Sequence, residues 1–118
     1  MKDEIKKDLA LAGIDVNGGI DRCMGNEGLY ERFLKKFLND GNWEGFMKAM
    51  DGKDYKTAES CIHSLKGVCG NLSMDSLYAS ASEITGFLRA SEYEKAEMLA
   101  KKAGAEYKAV CDAIKRWF

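Results

Sequence analysis

Apolar residues recur every three or four positions along most of the chain, which is the spacing that places them on one face of an α-helix. The pattern is clearest from Gly28 onwards, where charged residues occupy the opposite face. Three apolar pairs mark this stretch: Leu29/Tyr30, Phe33/Leu34 and Phe37/Leu38. The same spacing predicts helices over 3–11, 43–50, 54–72, 74–90 and 92–118, and a further turn of helix at 20–24 follows a glycine-rich loop.

No segment alternates apolar and polar residues in the way a β-strand does, so we expect an all-α protein. Amphipathic helices joined by short connections predict an antiparallel four-helix bundle with additional short N-terminal helices. The connection at Ser73 is so short that helices 54–72 and 74–90 must lie side by side and antiparallel, and Ser73 is a candidate N-cap for the second of them. We expect the core to include Phe33, Phe37, Trp43, Met47, Met50, Leu77, Ala81, Ile84, Leu88, Leu99, Ala103, Tyr107, Val110, Ile114 and Phe118.

Length and composition indicate a single domain over residues 1–118. Of the 118 residues, 46% are hydrophobic, and none is proline, a residue that breaks helix interiors. The 18 basic and 19 acidic residues nearly balance, which argues against a nucleic-acid-binding protein. No apolar run approaches the roughly 20 residues that span a bilayer, and the charged start of the sequence lacks a secretory signal. We therefore expect a cytoplasmic protein that does not contact membranes.

The cysteines and the single histidine do not suggest a metal site. Cys23, Cys61, Cys69 and Cys111 include no C-x-x-C pair, and one histidine cannot complete the usual zinc ligand sets. Cys61 and Cys69 would lie about 12 Å apart along one helix, which is too far for a disulfide bond. We expect the cysteines to be small buried apolar residues, and we expect neither a metal nor another cofactor.

The helix that carries His63 is the chemically informative segment. On a helical wheel His63 falls roughly 160° from the centre of the apolar face of this helix. We therefore expect its imidazole to be exposed to solvent. The apolar face consists of Ala58, Cys61, Ile62, Leu65, Val68, Cys69 and Leu72.

Lys66, Gly67 and Gly70 share one exposed strip with His63, at i+3, i+4 and i+7 from it, and we call these four positions the His63 strip. A glycine inside a helix costs about 1 kcal/mol relative to alanine, so two of them require a reason. We interpret both as a cleared surface on which the backbone of another molecule can approach the imidazole. The Lys66 ammonium, one turn away, could neutralise a phosphoryl group. An exposed imidazole with a nearby cation and open space is typical of a histidine that accepts such a group.

The segment from His63 to Gly67 reads His-Ser-Leu-Lys-Gly, and Gly-Asn-Leu follows at 70–72. This segment resembles the H-x-L-K-G signature of the histidine-containing phosphotransfer (HPt) domains of multistep two-component phosphorelays. The layout of nearly the whole chain is similar as well, because helices precede the histidine helix and two helices follow it. Ser73 departs from the family pattern, in which glycine often follows the Asn-Leu pair, and this alters the corner between two helices rather than the chemistry.

The resemblance implies that His63 accepts a phosphoryl group on Nε2 from the aspartyl phosphate of a response-regulator receiver domain and passes it to another receiver. It implies that Lys66 offsets the phosphate charge and that Gly67 leaves room for the receiver's loops. The partners would be receiver domains, a hybrid histidine kinase, or both. The rest of the docking surface would include Ser60, Ser64 and Gly70.

In this family a residue on the neighbouring helix often supports the imidazole. Antiparallel pairing about Ser73 makes positions 83–86 level with His63, so Thr85 is a candidate for this role and Arg89 is a candidate second cation. Neither position belongs to the family's motif. Because the receiver supplies the metal ion and the acidic pocket, the resemblance implies a monomeric phosphocarrier without bound metal, nucleotide site or autokinase activity.

Other functions remain open on sequence alone. An exposed histidine is common, and the glycines could instead make room for a bulky neighbour within the bundle. A helical adaptor could dock a receiver or another helix through the same strip without accepting phosphate. The chain could also be the phosphorylated domain of a chemotaxis-type kinase, separated from its catalytic parts. The dimerisation helices of ordinary sensor kinases are disfavoured, because they typically have a proline a few residues beyond the histidine and this chain has none.

Overall fold

Seven α-helices and the turns that join them make up the structure, a computed structural model that describes all 118 residues. There is no β-strand, so the predicted all-α class is confirmed. Helix α2 begins earlier than the predicted turn at 20–24, because the Asp15 carboxylate caps it by accepting a hydrogen bond from the Gly18 N–H at 3.1 Å. The helices are α1 (Asp3–Leu11), α2 (Val16–Arg22), α3 (Glu27–Phe37), α4 (Asn42–Asp51), α5 (Tyr55–Asn71), α6 (Asp75–Arg89) and α7 (Tyr93–Trp117).

Helix α5, which carries the histidine, packs between α4 and α6, and α6 packs in addition against α7. Near the connection between α5 and α6, Tyr78 lies against Gly70, whereas Arg89 pairs with Glu59 at the opposite end of the two helices. This order of contacts confirms that α5 and α6 are antiparallel. Helices α1 and α3 pack against α7. None of the seven helices combines the length and the apolar composition needed to cross a bilayer.

The core contains most of the apolar side chains that the sequence places there. Phe37, Trp43 and Met50 are buried, but the predictions for Phe33 and Met47 are wrong, since these side chains are 39% and 37% exposed. Phe33 is exposed because α3 leaves an open groove against α5 at this level, and Met47 lies at the edge of the apolar face of α4. The predicted stripe of α6 is buried throughout, and that of α7 is buried at Ala103, Val110 and Ile114 and half-buried at Leu99, Tyr107 and Phe118.

Five of the helices end in the same way, with one residue in the left-handed conformation that lets two backbone N–H groups close the last turn. Glycine is the residue that normally occupies this position, because it has no Cβ. Here only α1 ends with a glycine, at Gly13. The other four helices, α2, α4, α5 and α6, use Met24, Lys53, Ser73 and Ser91, with φ angles of 55–58°.

Ser73 therefore terminates α5 and does not cap α6. Its φ angle is 55°, and the next N–H, that of Met74, donates to the Cys69 carbonyl at 2.9 Å. Met74 occupies the N-cap position of α6, and no side chain accepts a hydrogen bond there. The predicted N-cap role of Ser73 is wrong because the motif that ends α5 already uses this residue. The left-handed φ also explains why a glycine would suit this corner.

Replacing Lys53 by glycine is expected to raise the free energy of unfolding by about 0.5–1 kcal/mol, because it relieves a left-handed φ at a residue with a Cβ. Lys53 is exposed and has a φ angle of 55°, so little packing is lost with its side chain. Urea denaturation of both proteins measures the difference. The matched control is Lys53→Ala, which also removes the side chain but keeps the Cβ. An equal gain in both variants would contradict the backbone explanation.

The N-terminal helices hold the connection between α5 and α6 in place. The Tyr30 hydroxyl donates a hydrogen bond to the Leu72 carbonyl at 2.7 Å, and the Asp15 N–H donates to the Ser73 carbonyl at 2.8 Å. Tyr30 is fully buried, and its ring packs directly on the backbone at Gly19. The end of the histidine helix is therefore supported by residues more than 40 positions earlier in the sequence.

Candidate functional site

His63 lies in the middle of α5, and its side chain is exposed. The helix begins after Asp54, whose carboxylate accepts a hydrogen bond from the Thr57 N–H at 3.2 Å. The predicted exposure of the imidazole is thus confirmed. The opposite face of α5 anchors the helix in the core through Ala58, Ile62, Leu65, Cys69 and Leu72, which are buried, and through Cys61 and Val68, which are half-buried.

Gly67 leaves open space one turn beyond His63. The residue is exposed, and a Cβ built at this position would have no heavy atom within 4 Å. Residues at this spacing lie about 6 Å apart on the helix surface, so a side chain at position 67 would stand directly beside the imidazole. The predicted clearing is confirmed at Gly67.

Gly70 has different surroundings from those expected. A Cβ at this position would lie 3.3 Å from Cε2 and 3.4 Å from Cδ2 of Tyr78, so the aromatic ring rests on the α5 backbone. The expectation that Gly70 belongs to the cleared surface is therefore wrong, and the competing explanation, room for a bulky neighbour, holds at this position. Tyr78 is itself 40% exposed, so its ring forms part of the surface next to the His63 strip.

The Lys66 side chain extends toward the same ring. Its Nζ atom lies 5.9 Å from the centroid of the Tyr78 ring, which is within the range of a cation–π contact. Lys66 is half-buried, although it belongs to the strip that faces solvent. The contact places the ammonium on the side of the His63 strip that faces α6.

A second cation, Arg89 at the end of α6, lies beside the turn of α5 that precedes His63. The Arg89 Nε atom is 3.6 Å from a Glu59 carboxylate oxygen, and Glu59 precedes His63 by one helical turn. Both side chains are partly exposed. The structure therefore places the candidate second cation one helical turn from the histidine and pairs its guanidinium with a carboxylate.

Thr85 is level with His63, as the register predicts, but it faces the core. It is 2% exposed, and its hydroxyl donates a hydrogen bond to the Ala81 carbonyl at 2.8 Å. The expectation that Thr85 supports the imidazole is wrong, because the register predicts height along the helix and not the direction of the side chain. The next residue, Gly86, is exposed, and a Cβ there would meet nothing within 4 Å.

The side of the strip that faces away from α6 is polar. Ser60 and Ser64 flank His63 and are both exposed, as expected for a docking surface. Next to them Cys61 packs closely on α4, where a Cβ at Gly45 would lie 3.0 Å from its Sγ atom. Small residues therefore surround the imidazole on this side too.

An open groove of about 780 Å³ lies between α3 and the last turns of α5. Phe33 and Val68 contribute apolar surface to it, and Asn71 contributes a polar group near its edge. Because Val68 and Asn71 follow Gly67 on the same helix, the groove adjoins the end of the His63 strip. Apolar surface is thus available close to the histidine.

The Cys69 thiol of α5 does not compete with His63 as a nucleophile. Cys69 is fully buried, and burial raises the pKa of its thiol to about 12, so the thiol stays protonated at neutral pH. All four cysteines are free. Nowhere in the structure do three or more His, Cys, Asp or Glu side chains come together in a way that could hold a metal ion.

Sequence reasoning missed two residues of this surface, Tyr78 and Glu59. The antiparallel register about Ser73 brings Tyr78 opposite Gly70, and a helical glycine opposite an aromatic residue indicates close packing. Glu59 could have been found from its position one turn before His63.

Comparison of the chain with protein-family models, with curated proteins and with solved structures gives no match. The functional argument therefore depends on the surface itself. An exposed imidazole stands in mid-helix, the Lys66 ammonium belongs to the same strip, and Gly67 leaves the approach open. This arrangement suits a nucleophile that reacts with a group presented by a second macromolecule.

Proposed function

We propose that this chain is a histidine phosphotransfer protein of a two-component phosphorelay. His63 accepts a phosphoryl group from the aspartyl phosphate of one receiver domain and passes it to the aspartate of another. The observation that carries the proposal is the exposed imidazole beside open space at Gly67. The sequence His-Ser-Leu-Lys-Gly from His63 to Gly67 supports it.

In the accepting step, the lone pair of the His63 Nε2 atom attacks phosphorus while Nδ1 keeps its proton. The Nε2–P bond forms as the acyl O–P bond of the receiver breaks, and the receiver recovers its carboxylate. The second step reverses this exchange on another receiver aspartate. Reacting atoms must approach to about 3–3.5 Å, so the loops of the receiver must come very close to α5. Gly67 leaves space for them, and Lys66 offsets the charge of the phosphoryl group.

The proposal extends to the architecture. Helices α4 to α7 would form the antiparallel four-helix bundle of the family, with α1 to α3 as additional N-terminal helices. The neighbouring pairs α4/α5, α5/α6 and α6/α7 support this arrangement. So does the stacked pair of Trp43 on α4 and Tyr107 on α7, whose ring centroids are 5.4 Å apart, because it joins the first and last of the four helices.

The proposed protein is a phosphocarrier rather than an enzyme with its own catalytic cycle. The receiver contributes the metal ion and the acidic pocket, and this chain contributes the oriented imidazole. We propose that it acts as a monomer in the cytoplasm, with receiver domains or a hybrid histidine kinase as its partners. The proposal includes no nucleotide site, no autokinase activity and no resident cofactor.

Incubation with purified, phosphorylated receiver domains tests the proposal. The wild-type protein is expected to acquire a label that is labile to acid and stable to base, as a phosphoramidate bond is. The variant His63→Gln is expected to acquire none. His63 is the only histidine in the chain, so no second imidazole can take over the reaction. Circular dichroism of the variant checks that its helices are intact, which an exposed position predicts.

A wild-type protein that no receiver labels would contradict the proposal. If such a protein still formed a complex with a receiver, and the complex were lost in Gly67→Gln, the surface would be that of an adaptor. Profiling transfer against the full set of receivers of the source organism would identify donor and acceptor.

A further inference from the structure

We infer that Tyr78 is a positioning residue for Lys66, and that its ring, resting on Gly70, holds the ammonium where it stabilises a phosphoryl group on His63. The inference deepens the proposed function and rests on it. The ring carries out no step of the chemistry. It acts through the cation next to the reacting histidine.

Two independent contacts place the three residues together. The Tyr78 ring carbons would lie 3.3–3.4 Å from a Cβ at Gly70, so the absence of a side chain at position 70 lets the ring lie on α5. The Lys66 Nζ atom is 5.9 Å from the centroid of the same ring. Lys66 and Gly70 are one turn apart on α5, so the backbone that the Tyr78 ring contacts and the ammonium that it faces belong to one surface.

The ring is well suited to hold a lysine. A lysine side chain has four rotatable bonds, and an exposed ammonium samples many positions. The face of an aromatic ring carries negative potential and attracts a cation, with modest strength at an exposed site. Tyr78 is fixed at the start of α6, where its N–H donates to the Met74 carbonyl at 2.8 Å. The ring rests on α5 at Gly70 and therefore restricts Lys66 to the side of the His63 strip that faces α6.

This positioning matters once His63 is phosphorylated. The phosphoryl group adds negative charge one helical turn from Lys66, and a cation already held nearby loses less side-chain entropy when it offsets that charge. Spontaneous hydrolysis breaks the Nε2–P bond after water attacks phosphorus, and it releases inorganic phosphate while the imidazole recovers its free nitrogen. The lifetime of phosphohistidine thus reports how well the cation is placed.

The test labels the protein chemically, without any receiver. In phosphoramidate the P–N bond breaks, ammonia leaves and the Nε2–P bond to His63 forms. The decay of phosphohistidine is then followed by phosphorus NMR. We expect Lys66→Ala to shorten the lifetime and Tyr78→Leu to shorten it about two- to five-fold. Tyr78→Phe keeps the ring and is expected to keep the wild-type lifetime.

The double variant separates positioning from a general structural role. If Tyr78 acts through Lys66, then Tyr78→Leu has no further effect on the lifetime in a Lys66→Ala background. An equal shortening in both backgrounds would overturn the inference. An unchanged phosphohistidine lifetime in Tyr78→Leu would also overturn the inference. In that variant the ring-current shift of the Lys66 ε-protons should disappear, which shows that the contact with the ring has been lost.

Failure of this inference is distinguishable from failure of the proposed function. The lifetimes and the ring-current shift require no receiver, whereas the proposed function is overturned when no phosphorylated receiver labels His63. The variant Gly70→Ala adds a graded check. A methyl group at position 70 would press on the Tyr78 ring, so we expect a smaller ring-current shift and a lifetime between those of wild type and Tyr78→Leu.

Discussion

Replacing Gly67 by glutamine is expected to slow phosphoryl transfer from a receiver to His63 about 100-fold, because displacement of reacting groups by about 1 Å has effects of this size. A Cβ at position 67 meets nothing in the protein itself, so the new side chain projects into the space that the proposed receiver would need. Glutamine is a better helix former than glycine by up to about 1 kcal/mol, so the variant should be at least as stable as the wild type. Stopped-flow or quench measurements of transfer, together with urea denaturation, show both effects.

A loss of transfer in a protein of equal or greater stability could not be attributed to unfolding. The matched control is Gly28→Gln on α3, since Gly28 is exposed and a Cβ there approaches only the Asn26 Oδ1 atom, at 3.7 Å. Labelling by phosphoramidate should be nearly normal in Gly67→Gln, because this small donor does not need the cleared surface. Normal transfer from a receiver in Gly67→Gln would refute the interpretation of Gly67 as a clearing.

Most of the fold follows from local rules that a sequence displays. Amphipathic stripes and their interruptions predict six of the seven helices closely, and side chains such as Asp54 mark helix starts. The exceptions are positions where tertiary contacts overrule a local preference. Ser73 has the side chain of an N-cap, but it adopts the left-handed conformation that ends α5 because α6 must begin at once. Phe33 has the spacing of a core residue and lies on a groove because α3 does not close on α5 there.

In the candidate site, too, the features that depend on one helix are predicted from the sequence, and those that depend on contacts between helices are not. The exposure of His63 and the clearing at Gly67 depend on the periodicity of a single helix, and the wheel predicts both. The roles of Gly70 and Thr85 depend on a second helix. The register predicts which part of the neighbouring helix lies opposite each residue. It does not predict that the Tyr78 ring covers Gly70 or that the Thr85 side chain turns into the core, because both depend on the packing of α5 against α6. Gly67 and Gly70 lie on one strip, but their lack of a side chain serves different purposes: open space at Gly67 and close packing of Tyr78 at Gly70.

A third glycine provides the largest expected effect on stability. Replacing Gly19 by alanine is expected to lower the free energy of unfolding by about 3 kcal/mol, through overpacking and a disturbed buried hydrogen bond. A Cβ at position 19 would lie 2.5 Å from the Tyr30 hydroxyl oxygen and closer still to two carbons of its ring. Tyr30 is fully buried and cannot move away without lengthening its hydrogen bond to the Leu72 carbonyl. Urea denaturation measures the loss.

Helix propensity alone predicts the opposite sign, since alanine in a helix is favoured over glycine by about 1 kcal/mol. The variant Gly28→Ala, at an open helical position, is expected to show that gain and serves as the matched control. Removing the ring tests the cause: Gly19→Ala should cost much less in a Tyr30→Leu background than in the wild type, because the two residues are in direct contact. A Gly19→Ala protein as stable as the wild type would mean that the ring can move away from the helix. The hydrogen bond from Tyr30 to Leu72 would then not be what supports the end of the histidine helix.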